Sequence, residues 1–159
     1  MVRIQHVNPA GTQVFMGTLT DGTAIHDALA AVAVECGIQT ATFELLGGLS
    51  EATFTAYDFT TQTRHAPRTF HNRALEIVSG HGTISQLDGK PHVHIHTTLA
   101  FQDESQPHGI ALVGGHLAHG VAFAVEFTLT TYLGNPVHRK LHQGTGLKLW
   151  HLDDVVHGA

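Results

Sequence analysis

Three histidines alternate along one short stretch, Pro91-His92-Val93-His94-Ile95-His96. Neutral imidazole is the commonest side-chain ligand for a transition-metal ion, so the spacing decides whether these three could share one. In an extended strand successive side chains point to opposite faces. His92, His94 and His96 then lie on one face, and Val93, Ile95, Leu99 and Phe101 on the other. Neighbours on a face stand roughly 6.6–6.8 Å apart at Cα, which lets two imidazoles converge on an ion at about 2.0–2.1 Å from each nitrogen. All three from one straight strand would span about 13 Å. A metal site therefore needs one His-x-His pair and a ligand from elsewhere. The same residues also describe the polar face of an ordinary amphipathic strand, and the spacing alone leaves both readings open.

A source for the missing ligand follows in Gly114-Gly115-His116-Leu117-Ala118-His119-Gly120. Paired glycines permit close backbone approach or positive φ at a strand end, so the next histidine can be aimed where a loop rarely aims one. The plain alternative is a glycine-rich turn with an incidental surface histidine. Further on, Val121, Phe123, Val125, Phe127 and Leu129 form one apolar face, and Glu126 stands on the other. A carboxylate there could accept the second N–H of a ligand imidazole, the usual outer partner of a metal-bound histidine. A half-exposed strand glutamate is the competing reading. Other chemistries lack a motif: there is no GxSxG elbow, no phosphate-binding P-loop and no GxGxxG.

The elements that must hold these residues are readable from periodicity. Ile25, Ala28, Leu29, Val32, Ala33 and Cys36 make one apolar stripe at helical spacing, predicting a helix over about residues 23–36. Asp21 or Thr23 is the expected cap and Gly37 the left-handed stop. Cys36, the only cysteine, is expected to be a small buried apolar group, and no disulfide can form within the chain. Elsewhere the period is two. Strands are expected over 12–19, 40–46, 52–59, from 75 onward, 90–101, 109–113 and 121–131, with Asp88-Gly89 as a type I′ hairpin turn. One helix among roughly seven strands predicts an α+β fold with a mostly antiparallel sheet. The last 25 or so residues are expected to form a hairpin packing back on that sheet.

The chain has 159 residues, 42% of them hydrophobic and 13% charged, which predicts one domain over 1–159 with a true core and no long disordered tract. No apolar run approaches the length of a membrane span, and the first residues lack the apolar stretch of a secretion signal, so the cytoplasm is the expected location. Eight Lys+Arg against thirteen Asp+Glu give −5 with histidine neutral, which argues against a strongly basic nucleic-acid surface. Fifteen histidines make the net charge steeply pH-dependent. Two local clusters offer cations to a phosphate backbone: Arg64, Arg68 and Arg73 within ten residues, and Arg139 with Lys140. Ordinary solvated loops are the competing reading.

The joint order LEIVSGHGTIS, then PHVHIHTTLA, then GGHL resembles the PPC domain, conserved in plants and prokaryotes, over about residues 12–133. The resemblance implies an α+β fold assembling as a homotrimer, with 134–159 as a C-terminal extension. It also implies, as in some prokaryotic members, a metal, typically zinc, held by His94, His96 and His116, with His92 and His119 outside the motif. Plant members join the domain to an Arg-Gly-Arg-Pro arm and act in the nucleus; stand-alone prokaryotic members are regarded as candidate DNA-binding proteins. This chain contains no Arg-Gly-Arg-Pro, so minor-groove readout by an inserted arginine has no candidate here. The function implied is a metal-binding, DNA-associated regulatory trimer. The alternative is a zinc-dependent hydrolase or lyase, because three histidines leave a fourth position free for water.

Overall fold

Alternating apolar and polar residues build most of this chain into long strands. A computed structural model describes residues 2–152 and 154–156, with side chains described over 3–152. In chain order the elements are β1 (Val2–Ile4), β2 (Thr12–Thr20), α1 (Ile25–Glu35), β3 (Ala41–Thr55), β4 (Tyr57–Asp58), β5 (Thr63–Arg64), β6 (Arg68–Leu87), β7 (Lys90–Gln102), β8 (Ile110–Tyr132), β9 (His138–His142), β10 (Leu147–His151) and β11 (Asp154–Val156). The principal sheet has seven strands. Within it β3 pairs with β6, β6 with β7, and β7 with the first part of β8, whose remainder returns to β3, so four strands close on themselves. β2 adds to the far half of β8. The β9–β10 hairpin joins β6 through a single parallel step, Gln86 to His138. The expected mostly antiparallel α+β fold is the one observed.

Helix α1 lies against β7 and β8 and buries Ile25, Leu29 and Ala33 in the core. Its start differs from expectation. Ala24 occupies the capping position with no side-chain cap bond. Residues 21–23 are instead used as a turn, pinned to β8 by Gly22 N–H to Ala122 O and Ala122 N–H to Thr23 O. At the other end Gly37 takes φ +66°, and Ile38 N–H bonds back to Ala33 O at 2.8 Å, the two-bond closure that a left-handed glycine permits. That closure swings the buried Ile38 under the helix and leaves Cys36 exposed, correcting its expected burial.

Two segments expected as pairs of strands are single ones, and a third strand starts earlier than expected. β3 runs through Gly47-Gly48, β8 runs through Gly114-Gly115, and β6 begins at Arg68 rather than Leu75. Bulges absorb Gly47-Gly48 within the ladder, whereas the register with β7 runs unbroken through Gly114-Gly115. One bulge also changes a face assignment. Gly48 pairs Ala124 while Leu49 pairs Ala122, so Phe123 is the extra residue and points outward at 62% exposure. Val125, Phe127 and Leu129 keep the expected inward face. The Asp88-Gly89 turn has positive φ at both residues, 51° and 75°.

Candidate metal centre

Strand parity on β7 works as the pattern predicts: Ile95, Thr97, Leu99 and Phe101 are buried, and His92, His94 and His96 face away from the core. The third residue of the site comes from β8. His96 lies directly opposite His116 in the antiparallel register, with Thr97 opposite Gly115 and Thr98 opposite Gly114. A Cβ on Gly114 would come within 2.7 Å of Thr97 O, so only glycine lets the two strands approach this closely beside the histidines. Gly115, the strand residue just before His116, takes φ +144°, a backbone conformation that favours glycine. The ring centroids of His94 and His96 are 5.1 Å apart, His94 and His116 4.9 Å, and His96 and His116 5.5 Å. One nitrogen from each ring lies within 4.8 Å of the others. A tetrahedral ion with bonds of about 2.0–2.1 Å needs nitrogens roughly 3.3–3.4 Å apart, a gap that small χ rotations close. His92 stands outside the group, 6.5 Å from His94 by ring centroids.

The electrostatics favour the neutral imidazoles that a metal requires. Burial, then the Arg139 guanidinium and neighbouring histidines, push His94 down to about 4. His116 is likewise lowered to about 4, first by burial and then by His96 and Arg64. His96 is lowered by burial and by His81, which lies opposite it across the ladder. At neutral pH each of the three therefore offers a free lone pair.

Around His94 and His96 lies a groove of about 640 Å³, bounded by His81 and Thr83 on β6 and by Arg139 and Trp150 from the β9–β10 hairpin. Arg139 is only 9% exposed. It donates from Nε to Ser85 Oγ at 2.7 Å, from Nη1 to Lys148 O at 3.0 Å and from Nη2 to Thr83 Oγ1 at 3.3 Å. Its cross-strand partner Trp150 faces the guanidinium at 5.8 Å. Burial lowers the Arg139 pKa from its ordinary value, though guanidinium stays charged.

The remaining sequence candidates fall elsewhere. Glu126 is exposed on β8 in a separate groove with Met16, Glu44 and Leu46. It makes no hydrogen bond to any of the three histidines among the described residues, so the expected outer-partner role does not fit its position. Glu126 keeps the outward face expected of it, but it lies ten positions along β8 from His116, which accounts for this. Arg64, Arg68 and Arg73 are exposed, with Arg73 lying 4.9 Å over the Phe101 ring. Lys140 is exposed, whereas Arg139 is turned inward and is not available to a solvated phosphate backbone. Sequence reasoning missed His81, Thr83, Arg139 and Trp150 as neighbours of the site. His81 could have been found by registering the strands across the Asp88-Gly89 turn. The placement of Arg139 and Trp150 has no local signal.

Comparison with known proteins agrees with this architecture. No curated protein matches the chain in sequence. Among solved structures, a metal-containing protein from Archaeoglobus fulgidus is 27% identical, covering 95% of this chain and 99% of that one, with a TM-score of 0.79. A candidate DNA-binding protein from Ralstonia eutropha JMP134 is also 27% identical, covering 93% and 95%, with a TM-score of 0.74. A plant- and prokaryote-conserved (PPC) protein from Pyrococcus horikoshii, 24% identical over 90% and 94%, shares the fold at a TM-score of 0.77. The family model of the Plants and Prokaryotes Conserved (PCC) domain matches residues 7–133. By that match and the fold that carries its histidine motif, the chain belongs to the Plants and Prokaryotes Conserved (PCC) domain family.

Proposed function

We propose that this protein binds one divalent metal ion, zinc by ligand chemistry, through His94, His96 and His116, and that it works as a homotrimer. The observation that carries the reading is the convergence of one nitrogen from each imidazole within 4.8 Å, contributed by adjacent strands and held neutral by burial. A metal-containing relative of the same fold supports it. Three imidazoles suit zinc better than magnesium or calcium, which prefer oxygen ligands. An ion held by three protein ligands keeps a fourth position for water or another oxygen donor. The trimer is supported by large apolar side chains left on the surface, among them Val14, Met16, Leu46 and Phe123. Free Cys36 fits a reducing, cytoplasmic setting.

Metal content by mass spectrometry on untagged protein, purified without a metal column, tests the site. About one zinc per chain is expected, falling to a trace in His94→Ala/His116→Ala. Stoichiometric metal in the double variant would show the ligands to lie elsewhere.

A DNA-associated role is the second reading, favoured by the exposed Arg64, Arg68 and Arg73 and by the Ralstonia relative's description. Binding to duplex DNA should then weaken steeply with salt, and more weakly so in R64A/R68A/R73A. Affinity that is flat across the salt series contradicts a phosphate-backbone contact.

A further inference from the structure

Among the described residues Arg139 is a buried cation without a counter-charge. At 9% exposure it is among the few buried polar or charged side chains. Its three hydrogen bonds go to two hydroxyls and a backbone carbonyl, all neutral. A guanidinium carries five N–H donors, so two remain. No carboxylate among the described residues forms an ion pair with it, the ion pair present being His119 with Glu51. Buried charges are ordinarily paired, and planar guanidinium matches carboxylate and phosphate oxygens two at a time.

The surroundings say what would pair with it. Arg139 lines the same groove as His94 and His96, alongside the apolar side chains of Leu149, Trp150 and Leu152. Its volume, about 640 Å³, falls within the range of small-molecule sites. A nucleic-acid backbone does not suit this position, because the hairpin covers the guanidinium.

We propose that the groove binds a small organic anion, its carboxylate or phosphate seated on Arg139 and its apolar body against Trp150. The seat itself does not depend on the metal. The inference rests on the metal reading for one point only: the ligand's other end would face the ion on His94, His96 and His116.

Trp150 is the only tryptophan. It lines this groove and also a smaller pocket with Val7 and Tyr132, so its fluorescence reports binding here and the Arg139 variant assigns the response to the groove. Chelator-treated and zinc-loaded protein would each be titrated with benzoate, phenyl phosphate and the neutral isostere benzamide. A saturable change is expected with benzoate or phenyl phosphate and none with benzamide, and the stronger of the two anions identifies the headgroup. Arg139→Gln should weaken binding about tenfold or more. Should that variant fail to fold, Leu149→Glu keeps the test open. It places a competing carboxylate in the groove at a position 41% exposed and should abolish the response. Benzamide binding as well as benzoate, no saturable response to either anion, or affinity unchanged in L149E would each overturn the proposal. Metal bound without any anion response sinks this inference and spares the metal reading. Anion binding by protein that takes up no zinc does the reverse.

Discussion

Neutral imidazoles at His94 and His116 tie stability to pH in a fixed direction. Both titrate near 4 in the folded chain against an ordinary 6.5, so between these values the unfolded chain binds protons that the folded chain refuses. Their contribution is fully present above about pH 6.5 and is lost as pH falls toward 4. His26 and His92 are lowered too, chiefly by burial, and each has an Nδ1 with no hydrogen-bond partner among the described residues. They add to the same slope. The melting temperature of metal-free protein should therefore hold steady above pH 6.5 and drop between 6.5 and 4, as read by circular dichroism. In His94→Gln/His116→Gln the drop should be shallower without vanishing, because His26, His92 and His96 remain. A melting temperature that rises on acidification would show that these histidines are charged in the folded state. This chemistry was legible from sequence because strand parity is local: a single residue, Ile95, separates His94 from His96 whatever the rest of the chain does. Arg139 was not, because its burial depends on where a hairpin 40-odd residues further on comes to rest.

Paired glycines mislead a reading of elements, and here they do so for one reason. Glycine is both a strand terminator and the residue that lets strands touch. Gly47-Gly48 and Gly114-Gly115 look like breaks in sequence, yet each sits inside a continuous strand where backbone runs against backbone. The bulge partnering Gly48 also turned Phe123 outward, whereas Glu126 keeps its expected outward face and is parted from the histidines by distance along β8. Gly114→Ala and Gly48→Ala separate the two roles. At Gly114 the new methyl would press on Thr97 O at 2.7 Å and push β7 from β8 beside the His96–His116 pair. A cost of about 1–3 kcal/mol is expected, with zinc affinity falling in step. At Gly48 the nearest atoms would be Glu76 Oε1 at 3.7 Å and Leu75 O at 3.8 Å, so Ala should change stability by less than about 0.5 kcal/mol. Thermal melts and zinc competition titrations read both. If G114A binds zinc like the parent protein, close strand approach is not what sets the site.

Assembly and metal binding should be separable at the scale of the whole molecule. Met16, 84% exposed, and Leu46, 59% exposed, line one groove with Glu44, Glu126 and His81. Such a groove is costly to leave open to water and suits a second copy of the chain. His81 also borders the groove beside His94 and His96, so a copy seated on the first groove would come close to the metal centre. Closeness is not participation, however: all three converging histidines belong to one chain. A charge placed in the groove, Met16→Glu/Leu46→Glu, should dissociate a trimer to monomers, measured by light scattering on a sizing column. The monomer should still carry about one zinc per chain, since its ligands and the register that aligns them are intact. Zinc lost together with the trimer would mean that a neighbouring copy completes the site, and the fourth position of the ion would then belong to the interface rather than to the Arg139 groove.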